Sequence, residues 1–284
     1  MIISTSNVKI YVEYFPSVKK ESPFVFLLHG FTGSSNDWME IIPNLNKKFS
    51  YVAVDITGHG QSDAPNELVL YKAPSLIVQL NDVFRHFAKK KFILMGYSMG
   101  GRAALSYAAE YPDNLLGLVL ESTSAGIADE KLREERVKSD EKIMKLIEEK
   151  SLEEFVEYWM NQDLFASLRN LPEKKLAKIQ NSKFKSLSRT SFGIKSQKVG
   201  LINSLKGFGT GVMPPLHGKL HLIKCSTLLV TGGLDIKFTQ INSELVKSFP
   251  SAKHVVIKNA GHNVHFEKLE EFVKGVAEFW EKLK

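Results

Sequence analysis

The sequence predicts an α/β fold: a mainly parallel sheet with helices on both faces and an inserted helical cap. Short β-rich runs alternate with longer helical stretches, which is typical of strand-helix-strand units. The continuous apolar runs at 92–95 and 228–230 indicate strands covered on both faces. With 284 residues, of which 43% are hydrophobic and 24% charged, the chain can form one sizeable core.

The elements follow in order along the chain. Strands are predicted near 8–14, 24–28, 51–55, 92–96, 116–120, 227–231 and 254–257. Helices are predicted near 36–48, 74–89, 99–110, 239–248 and 267–282. In the last of these Phe272, Val276, Phe279 and Leu283 recur at helical spacing.

The pattern changes between Glu121 and Leu222, where helical segments follow one another without a strand signal. This part begins with the charge-dense run ADEKLREERVKSDEKIMKLIEEK, and its apolar positions suit amphipathic helices. We therefore predict an α/β core formed by residues 1–121 and 222–284, and a helical cap formed by residues 122–221.

Composition narrows the class of protein. The apolar run at 24–28 is five residues long, far short of the roughly 20 apolar residues of a membrane helix. The N-terminal run MIISTSNVKIYVEYF alternates like a strand and does not fit a signal peptide. Cys225 is the single cysteine, which fits a reducing compartment. We expect a cytoplasmic protein without a membrane partner.

The formal net charge of +7 could favour anionic partners. The basic residues are scattered, however, which does not indicate a nucleic-acid interface, and 32 of the 38 are lysines. Six arginines remain, and a planar guanidinium binds a carboxylate in a two-pronged way that an ammonium cannot. The arginines therefore point to a small acidic substrate.

The stretch GYSMG at 96–100 fits the G-x-S-x-G pattern of a nucleophile elbow. It follows the strand FILM and precedes the helical run RAALSYAAEY, which is the context that such a turn requires. Ser98 is therefore the candidate catalytic serine. Arg102 lies four residues further on, one helical turn away on the same face.

A serine hydroxyl needs a histidine that is held by a carboxylate. Asp235 follows the strand TLLVT in the turn GGLD, and His262 follows the strand HVVIK in the loop NAGHN. The order Ser, Asp, His is the one expected for a serine on such a turn. We predict that Ser98, Asp235 and His262 form the catalytic triad, and that the other seven histidines are structural.

The backbone N–H groups of Met99 and Phe31 are the predicted oxyanion hole, because one donor follows the nucleophile and the other lies in the loop after an early strand. The chain has no G-x-G-x-x-G after a strand and no P-loop. Pairs such as His59 with Asp63 suggest no third metal ligand. We expect neither an organic cofactor nor a metal.

These motifs give the chain a resemblance to the α/β hydrolases, carried by LLHGFTGSSNDW, DITGHGQSD, MGYSMGG and AGHNVHFE. Further segments resemble the 2-succinyl-6-hydroxy-2,4-cyclohexadiene-1-carboxylate (SHCHC) synthases of menaquinone (vitamin K2) biosynthesis: LESTSAGI, EERVKSD, EYWMNQDLFASL, GFGTGVMPPL and GGLDIKF. Where that family tends to have proline, glutamine and tryptophan, this chain has Asp163, Met213 and His217.

The resemblance implies a lyase that expels pyruvate from 2-succinyl-5-enolpyruvyl-6-hydroxy-3-cyclohexene-1-carboxylate (SEPHCHC) without metal or organic cofactor. In that family the triad serine abstracts a proton, and Ser98 takes this position here. The carboxylate-binding arginines of the family correspond to Arg102, Arg136 and Arg189, and its pocket positions to Tyr97 and Trp159. We expect Lys237, in GGLDIKF, to face the same pocket and bind substrate.

Other interpretations remain open from the sequence. Arg102 and Arg189 could form surface salt bridges, and Arg136 could pair within its Glu-rich helix. Trp159 could pack within the cap, and Lys237 could be a solvated surface residue. The triad also suits an esterase or a carbon-carbon bond hydrolase, and the fold alone would suit a non-catalytic receptor.

Overall fold

The computed structural model describes residues 1–19, 21–188 and 194–283. Among these residues an eight-stranded sheet forms the centre of the molecule. Its strands are β1 Ile2–Ser4, β2 Lys9–Phe15, β3 Phe24–Leu28, β4 Ser50–Val54, β5 Phe92–Tyr97, β6 Leu115–Glu121, β7 Ser226–Gly232 and β8 Ala252–Ile257. All seven predicted strands are confirmed, and the short strand β1 is an addition.

The strand order is β1-β2-β4-β3-β5-β6-β7-β8. Strands β1 and β2 pair antiparallel with each other, and β2 is antiparallel to β4. From β4 to β8 all neighbours are parallel. The predicted α/β fold class is therefore confirmed, and β5 lies between β3 and β6 near the middle of the sheet.

Nine α-helices occur in the described residues: α1 Ala73–Phe87, α2 Met99–Glu110, α3 Glu130–Glu149, α4 Leu152–Met160, α5 Glu173–Ser188, α6 Ile194–Phe208, α7 Ile236–Leu245, α8 Val264–Glu267 and α9 Leu269–Trp280. Shorter 3-10 helices occupy Ser35–Trp38, Ile42–Asn44, Leu68–Tyr71, Pro112–Asn114, Asp163–Asn170, His217–Leu222 and Val246–Ser248. None of the described helices is long and apolar enough to cross a membrane.

The predicted helix at 36–48 is wrong. The structure has two 3-10 helices there, Ser35–Trp38 and Ile42–Asn44. Pro43 lacks a backbone N–H and would clash with the preceding turn of an α-helix, so the segment cannot continue as one. Trp38 and Ile42 are nevertheless buried, so their helix-like apolar spacing reflects packing against the core and not an α-helix.

The apolar core has a layer on each face of the sheet. One layer joins alternate strand residues such as Phe26 and Leu94 to helices α1 and α2. The other joins Leu27 and Ile93 to helix α9 through Phe272 and Trp280. Because both layers draw on the same strands, β3 and β5 are buried along nearly their whole length.

The described residues between β6 and β7 form helices and turns without a strand. Helix α3 is capped by Asp129, whose side chain accepts a hydrogen bond from the Leu132 N–H at 2.8 Å. Helix α4 begins with a capping box between Ser151 and Glu154. The apolar faces of these helices bury a third cluster that includes Phe155 and Leu201.

Helix α5 is joined to the segment after β3 by three polar pairs, each formed by one residue of the helix and one of residues 34–37. The pairs are Ser186 with Ser34 at 2.8 Å, Ser182 with Asn36 at 2.8 Å, and Lys183 with Asp37 at 2.7 Å. The Lys183–Asp37 ion pair is buried on both sides. The helical segment is thereby fixed to the loop that follows β3.

Helix α2 starts against the end of β3 at an unusually short distance. A β-carbon at Gly100 would overlap the carbonyl oxygens of Leu28 and His29, and one at Gly96 would overlap the backbone of Gly100. Only glycine fits at these contacts. The position of the first turn of α2 above the sheet therefore depends on Gly96 and Gly100.

We predict that Gly100→Ala lowers the free energy of unfolding by about 2 kcal/mol or more, because a backbone overlap in the core forces α2 away from β3. Urea unfolding followed by circular dichroism measures this change.

Gly275→Ala is the matched control, since Gly275 lies in helix α9 and a β-carbon there meets nothing within 4 Å. We expect it to be neutral or to stabilise by up to about 1 kcal/mol. Equal unfolding free energies for the two variants would contradict the packing argument.

Candidate active site

Ser98 lies on a strained turn between β5 and α2. Its backbone angles are φ 51° and ψ −108°, a conformation that a non-glycine residue rarely adopts. The Ser98 N–H donates to the Glu121 carbonyl at 2.9 Å, and its carbonyl accepts from the Thr123 hydroxyl at 2.8 Å. Both contacts come from the end of the neighbouring strand β6, so the turn is held from outside.

His262 and Asp235 complete a chain of hydrogen bonds to this serine. His262 Nε2 lies 3.1 Å from Ser98 Oγ, and His262 Nδ1 lies 2.7 Å from Asp235 Oδ2. The imidazole and the carboxylate are both buried. The three predicted triad residues are thus brought together within hydrogen-bond distance, in the geometry of a serine activated by a histidine.

The three residues meet because each follows a strand of the parallel sheet. Ser98 follows β5, Asp235 follows β7 and His262 follows β8, and the carboxyl ends of parallel strands share one edge. Asp235 also caps helix α7, since its Oδ1 accepts from the Phe238 N–H at 3.2 Å. The two carboxylate oxygens therefore have separate partners, which fixes the orientation of the side chain.

The loop that carries His262 is anchored by a buried carboxylate. Glu267 accepts hydrogen bonds from the Gly261 N–H at 2.8 Å and from the Asn263 N–H at 3.3 Å. Burial raises the pKa of Glu267, and the hydrogen bond from Gly261 opposes that rise. The residues on either side of His262 are held by the same side chain.

A second histidine–carboxylate pair lies next to the loop that carries His262. His265 Nδ1 lies 2.6 Å from Glu121 Oε2, and both side chains are fully buried. The His265 ring stacks on Trp38 with centroids 5.0 Å apart. This pair joins the end of β6 to helix α8, so the structure gives His265 a packing role, as the sequence suggested.

The predicted oxyanion residues Phe31 and Met99 line the same cavity as Ser98. Met99 is the first residue of helix α2, where the helix dipole favours negative charge. Phe31 follows β3, which pairs with β5 through Leu28 and Gly96. Strand pairing therefore brings the two residues to one end of the sheet, and their role as donors stays a prediction.

The cavity above Ser98 has a volume of about 700 Å³. Helices α3 and α4 and the segment after α4 form one side, and the ends of β5 and β7 form the other. The residues that line it include Phe31, Tyr97, Ser98, Met99, Arg102, Arg136, Ser139, Trp159, Gln162, Asp163, Phe165, Asn170, Thr210, Asp235, Lys237 and Phe238. Such a volume suits a small molecule.

Arg102 reaches this cavity from helix α2. Its Nη2 donates to the Phe208 carbonyl at 3.4 Å, and its guanidinium carbon lies 5.7 Å from the centre of the Phe208 ring. Its buried Nε–H has no partner among the described residues. Burial, and then the nearby charge of Arg136, lower the pKa of Arg102 to about 10, so the side chain stays cationic at neutral pH.

Arg136 reaches the cavity from helix α3. Its Nε donates to Asp140 Oδ1 at 2.8 Å. Arg136 therefore does pair within its own helix, as one interpretation of the sequence allowed. Its partner, however, is a buried aspartate and not a surface glutamate. Sequence reasoning missed Asp140, although its spacing of four residues from Arg136 was a signal that the two side chains meet.

Four further predicted residues have different environments. Tyr97 is buried beside His262 and lines the cavity. Trp159 lines the cavity and also packs within the helical segment, where its ring centroid lies 5.8 Å from that of Phe165. Lys237 is exposed at the cavity rim. Arg189 lies outside the described residues.

The three departures from the family pattern also lie in different places. Asp163 lines the cavity at the start of a 3-10 helix. Met213 is buried in the core beneath the helical segment, and His217 begins a 3-10 turn before β7. Of the three, only Asp163 adds charge to the cavity wall.

Sequence reasoning also missed the aromatic residues around the histidine. Phe238 packs on the His262 ring with centroids 4.6 Å apart, and Phe165 contacts it edge-on at 6.0 Å. Their apolar side chains gave no pattern that would separate them from core residues. Within residues 1–19, 21–188 and 194–283 no cluster of three or more metal-binding side chains occurs.

Comparison with known proteins identifies the family. The model of the alpha/beta hydrolase fold matches residues 23–269. A putative SHCHC synthase of Bacillus subtilis (strain 168) is 38% identical over 261 residues, which cover 91% of this chain and 90% of the relative. The chain belongs to the SHCHC synthase family of α/β hydrolases. The resemblance stated from the sequence is thereby confirmed.

Two further relatives agree with this family. The SHCHC synthase of Enterobacter sp. (strain 638) is 29% identical, with 86% of each chain covered. The structure of MenH from S. aureus superimposes with a TM-score of 0.88 at 28% identity, covering 95% of this chain and 98% of that one. An esterase from Thermogutta terrifontis has a TM-score of 0.80 at 21% identity, which shows the shared fold alone.

Tyr97 provides a test of the site's packing. Its hydroxyl donates to Asn263 Oδ1, and burial raises its pKa well above the usual value, so it remains a donor. Tyr97→Phe leaves Asn263 Oδ1 buried without this partner. We expect the free energy of unfolding to fall by about 1–3 kcal/mol in urea titrations.

Tyr158→Phe is the control, because Tyr158 is 37% exposed on helix α4. We expect a change within about 0.5 kcal/mol. If Tyr97→Phe changed the free energy of unfolding as little as Tyr158→Phe, the hydrogen bond to Asn263 would not stabilise the loop that carries His262.

Proposed function

We propose that the protein is an SHCHC synthase, a lyase that eliminates pyruvate from SEPHCHC in menaquinone biosynthesis. One observation carries the proposal: Ser98, hydrogen-bonded to the His262–Asp235 pair, shares a cavity with the guanidinium groups of Arg102 and Arg136. A triad beside two arginines suits a substrate that carries carboxylates. The names of the relatives agree with this chemistry.

The reaction begins when His262 Nε2 accepts the proton of Ser98 Oγ, while Asp235 stabilises the imidazolium. Ser98 Oγ then takes a proton from carbon of SEPHCHC. The electrons of that C–H bond form the C2–C3 double bond of the ring, the existing C3–C4 double bond shifts to C4–C5, and the C5–O bond to the enolpyruvyl group breaks. The departing enolate takes the proton from the His262 imidazolium and becomes pyruvate, so the triad is restored and SEPHCHC gives SHCHC and pyruvate without a net proton change.

The cavity provides the electrostatics for this elimination. Negative charge develops in the conjugated system of the substrate, and fixed cations in a partly buried site stabilise it more strongly than they would in water. Arg102 and Arg136 lie on the wall of the cavity, and Lys237 lies at its rim. We propose that these three side chains bind substrate carboxylates, and that the Phe31 and Met99 N–H groups bind a substrate oxygen.

We propose that residues 122–221 act as a cap on the core formed by residues 1–121 and 222–284. Arg136 and Trp159 reach the cavity from this segment, whereas the triad belongs to the core. A cap that contributes binding residues can exclude water from the serine, which favours elimination over hydrolysis. The anchoring of α5 by Lys183 and Asp37 keeps the segment over the site.

The alternative of an esterase or carbon-carbon bond hydrolase is not favoured. The proteins named as synthases match at 29–38% identity, whereas the esterase likeness lies at 21% and shows the fold alone. The receptor alternative does not explain an assembled triad. We further propose that the enzyme works on a soluble metabolite in the cytoplasm, where its single cysteine, Cys225, stays reduced.

The assay is direct: SEPHCHC generated enzymatically is mixed with the purified protein, and pyruvate release is followed through a coupled dehydrogenase. We expect release well above the uncatalysed rate, together with loss of the substrate's absorbance. A rate of pyruvate release equal to the uncatalysed rate would show that the protein does not catalyse this reaction.

We predict that Ser98→Ala and His262→Ala abolish turnover while the circular dichroism spectrum and melting temperature stay close to those of the unsubstituted protein. Each substitution removes one member of the proton-transfer chain without adding volume. Turnover that survives in Ser98→Ala would show that another group is the base.

We predict that Arg102→Lys lowers kcat/KM about tenfold or more, because a charged hydrogen bond contributes about 1.5–3 kcal/mol and an ammonium cannot replace the planar fork. Arg102→Ala should be at least as harmful. Steady-state kinetics with SEPHCHC measure both.

Arg85→Lys is the matched control, since Arg85 is exposed on helix α1. We expect its kcat/KM to stay within about twofold of the unsubstituted protein. An Arg102→Lys variant as active as Arg85→Lys would show that fork geometry is irrelevant.

A further inference from the structure

We propose that Asp140 is a positioning residue that fixes the guanidinium of Arg136 for the substrate carboxylate. The inference rests on the proposed function, in which Arg136 binds substrate. Asp140 lies on helix α3 one turn after Arg136, and its Oδ1 accepts the Arg136 Nε–H at 2.8 Å. Asp140 itself is not among the residues that line the cavity, so it acts on the site through Arg136.

The burial of this pair sets it apart from ordinary helix surface pairs. The Asp140 side chain is 3% exposed and that of Arg136 is 35% exposed. On the same helix and at the same spacing, Lys145 and Glu149 are 3.7 Å apart with 72% and 56% exposure. A pair of the second kind contributes little. A carboxylate as buried as Asp140 is costly unless a cation compensates it.

Asp140 is confined from a second side by Gly209, the residue that follows helix α6. A β-carbon at Gly209 would lie 2.9 Å from Asp140 Oδ2, and that oxygen is buried without a hydrogen-bond partner in the described residues. Burial raises the pKa of Asp140, while the charges of Arg136 and Arg102 lower it. The carboxylate is therefore held in place by packing, and it depends on the two arginines for compensation.

The geometry leaves the outer part of the Arg136 fork for a ligand. Asp140 engages Nε, so the Nη1 and Nη2 groups keep their N–H donors. A carboxylate bound through Nη donors gains the directional contact that a lysine cannot give. Asp140 thus limits the rotation of the Arg136 side chain, and among the described residues no hydrogen-bond partner occupies its Nη donors.

Asp140 also compensates the like charges of Arg102 and Arg136, which line the same cavity. The charge of Arg136 lowers the pKa of Arg102, and the charge of Asp140 opposes this effect. Without the carboxylate the two guanidinium groups would repel each other, and the Arg136 side chain, which is 35% exposed, would turn towards solvent. Loss of Asp140 is therefore expected to act on catalysis through Arg136.

A double-mutant cycle tests this coupling. We expect Asp140→Asn to lower kcat/KM for SEPHCHC about tenfold with Arg136 present, and less than about twofold in an Arg136→Ala background. Glu141→Gln, an exposed neighbour on the same helix, is the control and should match the unsubstituted protein. The proposal would be overturned if Asp140→Asn lowered kcat/KM equally with Arg136 and with Arg136→Ala. It would also be overturned if Asp140→Asn were as active as Glu141→Gln.

Arg136→Lys covers the case in which Asp140→Asn does not fold. This variant keeps the positive charge and the buried carboxylate, but it lacks the Nε–H that Asp140 holds. We expect the same loss of about tenfold in kcat/KM. Activity within twofold of the unsubstituted protein would contradict the positioning role.

A measurement without substrate separates this proposal from the proposed function. The Arg136 Nε–H resonance, assigned by its absence in Arg136→Lys, is followed by ¹⁵N-edited NMR. We expect it to shift and to exchange faster with solvent in Asp140→Asn, but not in Glu141→Gln. An unchanged resonance in Asp140→Asn overturns the pairing, whereas absence of pyruvate release by the unsubstituted protein overturns the function.

Discussion

The contact between the first turn of α2 and the end of β3 determines the geometry of the site. Gly100 lies against the carbonyl oxygens of Leu28 and His29, and Gly96 lies against Gly100. This contact places Ser98 on its strained turn at the edge of the sheet. Because β3 and β5 are neighbours, the same contact brings Phe31 and Met99 to the serine.

The remaining parts of the site follow from parallel pairing. Asp235 and His262 reach Ser98 because β7 and β8 end at the same edge as β5. Their loops are then fixed by buried polar contacts, of which Glu267 with its two backbone donors is one. The core thus supplies the hydrogen-bonded chain of Ser98, His262 and Asp235, and the segment between β6 and β7 supplies Arg136 to the wall of the cavity.

Much of this arrangement could be predicted from the sequence. The buried strands and the GYSMG turn are local patterns, because their residues are contiguous and their apolar or glycine content has a direct physical reason. The triad followed from strand-loop placement, and its three members do meet. The scarcity of arginine drew attention to Arg102 and Arg136, which the structure places on one cavity.

The features that the sequence predicted wrongly or did not predict have physical causes as well. The segment 36–48 has helical apolar spacing because of burial, but Pro43 prevents an α-helix. The pairs between α5 and residues 34–37 join positions about 150 residues apart, and no local pattern reports such contacts. Asp140 has a local signal in its spacing from Arg136, but its burial depends on Gly209 and helix α6, which the sequence alone does not bring near.

The central claim is that Ser98 acts as a base towards carbon rather than as a covalent nucleophile. It is tested most directly with SEPHCHC that carries deuterium at the carbon that loses its proton, by comparing initial rates of pyruvate release with the labelled and unlabelled substrates. We predict slower release from the deuterated substrate, with no mass added to the protein during turnover. Equal rates together with a covalent adduct on Ser98 would contradict it.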